Sequence, residues 1–162
     1  MIIRPTTVLT AAALAFAAAA PGATPAHADD PAPVQITNGD FDTLPGGTDL
    51  GYDIEGRAAM VRLPHRTLVS VHVEGLDADT TYPAHPHNAP CSASPAGGGH
   101  YQHEVGGTVD AVNEIWPIVT TNQHGRGHAN VAHDHRARAE AQSIAIHYPA
   151  DTSIRLACVD LA

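Results

Sequence analysis

Residues 67–74 read Thr67-Leu68-Val69-Ser70-Val71-His72-Val73-Glu74, and their alternation decides the fold class. Val69, Val71 and Val73 share one face of an extended chain, and Ser70, His72 and Glu74 share the other, because strand side chains alternate with period two. A helix of 3.6 residues per turn would scatter the same valines around its axis. Working outward, Gly56 to Leu63 supplies a partner strand. Glu114 to Thr121 and Gly127 to Ala137 give two more, joined by a polar turn around Asn122 to Gly127. Gln142 to Tyr148 and Ser153 to Val159 close the chain, while Arg136 to Ser143 fits either a short helix or extended chain. Between His85 and Asp110 there is no periodicity, only a run rich in Pro, Gly, His and Ser. That is a long loop, and long irregular loops in compact domains usually carry function. Short strands at this spacing predict an all-β sandwich or barrel.

The chain has 162 residues and a formal charge of −9, and all eight of its cations are arginine. An acidic chain without a basic run is a poor partner for nucleic acid or an anionic membrane. Residues 1–28 read as a secretory signal peptide: Arg4 is the positive end, Val8 to Ala20 the apolar run, and Ala26-His27-Ala28 the small-x-small cleavage site. The run is too short to span a bilayer. The expected organisation is therefore a signal peptide at 1–28, a flexible Pro/Asp-rich tail at 29–33, and one β-domain at 34–162. Such a chain is secreted or periplasmic, with no membrane contact after cleavage. The only two cysteines, Cys91 and Cys158, then meet oxidising conditions and are expected to pair.

Twelve histidines are a heavy load for so small a protein. His85-Pro86-His87 places two imidazoles at i and i+2 of an extended segment, where they point the same way. His100 and His103 follow the run Gly97-Gly98-Gly99. In Ile144-Ala145-Ile146-His147 the isoleucines face the core, so His147 faces outward. In Ile154-Arg155-Leu156 the same alternation turns Arg155 outward on the neighbouring strand. A metal on the outside of the β-structure, roofed by the long loop, accounts for these groups. Imidazole suits zinc, copper, iron and nickel, and a nitrogen-only tetragonal set favours copper. His124, His128, His133 and His135 form a separate group that reads as a solvated strand face, and His65 and His72 read as lone surface histidines.

In this order, Thr67–Leu76, His85-Pro86-His87, Gly98-Gly99-His100-Tyr101, Ile144-Ala145-Ile146-His147 and Arg155-Leu156-Ala157-Cys158 resemble the copper/zinc superoxide dismutases from about Gly56 to the end. The resemblance implies a flattened eight-stranded Greek-key β-barrel of immunoglobulin-like sandwich topology, with a long metal-site loop. It implies copper held by His85, His87, His100 and His147, and a Cys91–Cys158 disulfide tying the loop to the barrel. It also implies Arg155 as the arginine that attracts the substrate, superoxide, which is converted to oxygen and hydrogen peroxide. The chain departs from the family in its short His100–Glu114 and Tyr148–Ile154 segments, in Pro86 between the paired histidines, and in the missing glycine after Cys158. The short segments resemble the copper-only branch, in which zinc is absent and a glutamate replaces the zinc-binding aspartate; Glu114 is the candidate. His100 is then the residue that carries a proton, with Glu114 orienting it. A residual zinc site would draw on His100, His103 and Asp110. The alternative function is a copper-binding or buffering protein with the same fold and little catalysis.

Overall fold

The computed structural model describes residues 32–162; the expected signal peptide and the first residues of the tail lie outside them. The central pair of strands is the one that the valine alternation marks. β3 (Glu55–Leu63) and β4 (Arg66–Glu74) run antiparallel, with Met60 opposite Val69 and Ala58 opposite Val71. Their inward residues are fully buried while Leu68, Ser70 and His72 face out. Each buried valine contributes roughly 1.5–3 kcal/mol relative to exposure.

Around this pair the chain forms two antiparallel sheets. The first orders six strands as β1 (Gln35–Asp40), β3, β4, β8 (Gly127–His133), β7 (Val119–Thr121) and β5 (Thr81–Tyr82). The second orders β2 (Asp42–Thr43), β10 (Asp151–Asp160), β9 (Ser143–Tyr148) and β6 (Ala84–His87). A short helix, α1 (Pro45–Asp49), follows β2. One core cluster joins Met60, Val69, Val71 and Val73 of the first sheet to Ile144, Ile146, Leu156 and Val159 of the second. The sheets pack as a β-sandwich.

Two expectations need correction. There are ten strands among the described residues, and the two sheets do not close into a barrel. Residues 114–118 are irregular, so the strand expected from Glu114 shortens to Val119–Thr121, and β8 stops at His133 rather than Ala137. For the segment before β9, which the sequence left open, the structure shows irregular chain with a turn at 139–140. β1 carries no legible alternation because its only buried side chain is the polar Thr37; backbone pairing with β3 places it.

β10 holds the decisive irregularity. Ala157, Cys158 and Val159 pair in register with Ile146, Ala145 and Ile144, but Arg155 pairs with His147, a one-residue shift. Without that shift the register would set Leu156 against His147 and turn Arg155 to the core side with Ala157 and Val159. The shift is a bulge, which re-aims one side chain; here it puts Arg155 on the same face as His147. Val159, standing where the resemblance expects glycine, is 1% exposed and fills the core. Cys158 emerges on the loop side and is bonded to Cys91. This bond fastens the long segment after β6, residues 88–118, across the outer face of the second sheet. Among the described residues no helix is long and apolar enough to cross a membrane.

Candidate metal centre

β6 is the edge strand of its sheet, and that is why Pro86 is tolerated between the two histidines. Pro86 pairs with Ile144 and its carbonyl accepts from the Tyr101 N–H at 2.9 Å. His85 and His87 fall opposite Ala145 and Ser143, on the face that also carries His147. His100 is brought over them by a bridge to His87. The tight turn at Gly97 and Gly98 makes this approach possible. Both have positive φ, +80° and +69°, and a Cβ on Gly97 would lie 3.0 Å from the His87 Cβ.

One ring nitrogen from each of His85, His87, His100 and His147 lies within 4.8 Å of the others. His85 Nδ1 stands 3.2 Å from His87 Nε2, which stands 3.2 Å from His147 Nε2. With metal–nitrogen bonds of about 2 Å, neighbouring ligands are about 3 Å apart and opposite ones about 4 Å, so the set fits one ion with small adjustment. The outer nitrogens are held. His147 Nδ1 donates to the Thr152 carbonyl at 2.6 Å and His87 Nδ1 to the Gly98 carbonyl at 3.3 Å. Burial keeps these rings neutral, with their lone pairs available: it is the main cause lowering His85 to about 2, His87 to about 3 and His147 to about 4. Neighbouring imidazoles and the Arg155 charge push the same way, while the Thr152 carbonyl opposes the shift at His147.

Arg155 lies half-buried beside the cluster. Its guanidinium donates to the carbonyls of Ala96 and Gly98, the latter at 2.7 Å. Gly98 thus accepts from both Arg155 and His87, and couples the cation to a ring of the cluster. Glu114 is 1% exposed and accepts from His100 Nδ1 at 3.0 Å. The carboxylate also accepts from Trp116 Nε1 at 2.9 Å and Gln102 Nε2 at 3.2 Å.

The structure does not gather His100, His103 and Asp110. His103 stacks on His135, with ring centroids 3.9 Å apart. Asp110 caps a turn, accepting from the Val112 and Asn113 N–H groups. His124 and His128 are exposed, as a solvated face requires. His133 departs from that reading: it is buried, and its Nε2 donates to the Val112 carbonyl at 2.8 Å. With His103 and His135 it holds the irregular segment to the end of β8. Three residues that hold this segment have roles that the sequence did not show. Asn113 bonds Glu104 and Thr108, Arg138 bonds the Gln102 and His103 carbonyls, and Trp116 caps Glu114. No period marks any of them; the only signal was a lone tryptophan two residues after the candidate glutamate.

No family model matches the chain, and no curated protein matches it.

Proposed function

We propose that this protein is an exported, copper-dependent superoxide dismutase of the copper-only type, working without zinc, on a domain of the superoxide dismutase kind. The observation that carries the reading is the set of four converging imidazoles with a guanidinium opposite His147. Nitrogen-only donors suit copper among the available metals. Copper bound by His85, His87, His100 and His147 supplies a one-electron couple, so that two superoxide ions and two protons become one oxygen and one hydrogen peroxide.

The rest of the chemistry falls to the protein's own groups. Arg155 spends two N–H groups on loop carbonyls, and a guanidinium has five. Those left over give an anion charge-assisted bonds in a protein that is negative overall. Whenever His100 Nε2 is not serving as a ligand, it would take and give a proton while Glu114 holds the Nδ1–H. The Cys91–Cys158 bond holds the roof of the site in place. The signal-like leader and the disulfide support an extracellular or periplasmic location.

A second reading has one observation in its favour: Arg155 already has a structural task at Ala96 and Gly98, which a copper-buffering protein would need as well. A superoxide-consumption assay on copper-loaded protein separates the two. Dismutase activity well above that of free copper ions, cut at least tenfold by Arg155→Glu with copper still bound, supports the enzyme. Turnover no better than free copper, or no response to Arg155→Glu, sinks it in favour of the binding protein.

A further inference from the structure

Trp116 and Gln102 have no part in the proposed chemistry, yet both aim hydrogen-bond donors at the one buried carboxylate beside the histidine cluster. Glu114 Oε2 accepts from Trp116 Nε1 at 2.9 Å, and Oε1 accepts from Gln102 Nε2 at 3.2 Å. An indole N–H only donates. An amide can present either end, but here Gln102 Oε1 accepts from the Gly106 N–H at 3.0 Å. That bond turns the NH₂ group toward Glu114. Both oxygens of Glu114 are therefore bound as acceptors by groups whose direction of donation is settled locally.

This has a consequence for His100. Its Nδ1 lies 3.0 Å from Oε2, the oxygen that Trp116 already occupies as a donor. An acceptor nitrogen there would face a bound acceptor oxygen, a repulsive pair, so Nδ1 must carry the hydrogen. A neutral imidazole has a single N–H, and Nε2 is then left with its lone pair. His100 is the most exposed of the four rings, with 35% of its side chain open to solvent. It also lacks the backbone carbonyl that fixes His87 and His147. Its tautomer depends on Glu114 and on whatever holds Glu114.

We propose that Trp116 and Gln102 are positioning residues that set, through Glu114, the Nδ1–H tautomer of His100 and so present Nε2 as its metal-binding atom. Every group that fixes the ring in this chain of hydrogen bonds belongs to the protein itself. Orientation of a ligand from behind is worth about 10- to 100-fold in metal affinity where it has been perturbed. Trp116 and Gln102 stand one step further out, and each accounts for about tenfold of it or less.

The inference rests on the metal-centre reading for its affinity readout and is independent of that reading for its tautomer readout. The test is nitrogen-15 NMR of the histidine rings in the metal-free protein at alkaline pH, together with zinc(II) and copper(II) titrations. The parent protein is expected to show His100 protonated at Nδ1. Trp116→Phe removes the indole donor and keeps an aromatic ring; Gln102→Leu removes the amide from the other oxygen. Each variant is expected to bring up the Nε2–H form of His100 and to weaken metal binding up to tenfold, while His87 and His147 keep their Nδ1–H forms. Trp116→His, which can restore an N–H, is expected to recover part of the loss. A His100 tautomer that stays Nδ1–H in both Trp116→Phe and Gln102→Leu, with affinities within twofold of the parent, overturns the proposal. So does a parent protein in which His100 is protonated at Nε2. A shifted tautomer in a protein without dismutase activity upholds the positioning role and rejects the proposed enzyme.

Discussion

Lowering the pH of the metal-free protein tests the buried imidazoles directly. His85, His87 and His147 are held neutral in the fold at about 2, 3 and 4, against 6.5 for a free histidine. These are bases with depressed folded values, so the unfolded chain takes up protons first. Their stabilisation is therefore present above pH 6.5, is lost as pH falls below it, and levels off only where the folded rings protonate. From pH 7 to pH 5 the linkage integral is about 2 kcal/mol per ring, or about 5–6 kcal/mol for the three together. That rivals the whole stability of a domain this size, about 5–15 kcal/mol. The window also lies above the carboxylate range, which keeps the acidic side chains out of the slope. The assay is urea unfolding at steps between pH 7 and pH 5, repeated with saturating zinc(II) as a redox-inert probe. We expect a steep loss without metal, a parallel loss at higher overall stability with it because the folded rings carry no proton in either state, and about a third of the drop removed by His87→Gln. A metal-free stability that is flat across this interval refutes the argument, because three buried neutral rings cannot escape the linkage.

Other outcomes follow from the same geometry. Glu114→Gln places an NH₂ group against at least one donor, Gln102 Nε2 or the Trp116 and His100 pair, inside a buried site. An unsatisfied buried donor and weakened charge-assisted bonds should cost about 2–4 kcal/mol by thermal or urea unfolding, with about 10- to 100-fold weaker metal binding by titration. Cys158→Ser opens a loop that spans a sequence separation of 67. It should lower stability by about 4 kcal/mol in the chain-entropy model, and limited proteolysis should then cut within residues 88–118. Arg155→Glu withdraws the donors from Ala96 and Gly98, so besides losing activity it should quicken amide exchange at residues 96–99 and spare the core strands.

How much was legible in the sequence differs from element to element. β4 was readable outright, because one buried face and one wet face write a period of two into the residues themselves. The outward histidine of β9 was readable for the same reason, since Ile144 and Ile146 take the core side and leave His147 no other. Arg155 was placed on the correct face by the local alternation of Ile154 and Leu156, yet that alternation fails one residue later, where Ala157 and Val159 also face the core. His133 was misread because its alternation is sound but the outer face there is covered: residues 110–113 lie over it, and no pattern within β8 records what packs on top.

The family resemblance put His100 in the ligand set; the residues alone determined the all-β class, the paired cysteines, the parallel imidazoles of His85 and His87 and the outward His147. Those properties depend on side-chain periodicity and donor type, which are local. The tertiary structure decided three things: an open sandwich of two sheets in place of a barrel, the one-residue shift that sets Arg155 opposite His147, and the Trp116–Glu114–His100 chain of hydrogen bonds. Each depends on which distant segments meet, and in what register. Residues 88–118 have no repeating period; they are placed by a disulfide, a two-glycine turn and buried polar bonds. Such contacts have meaning only once both partners are in place.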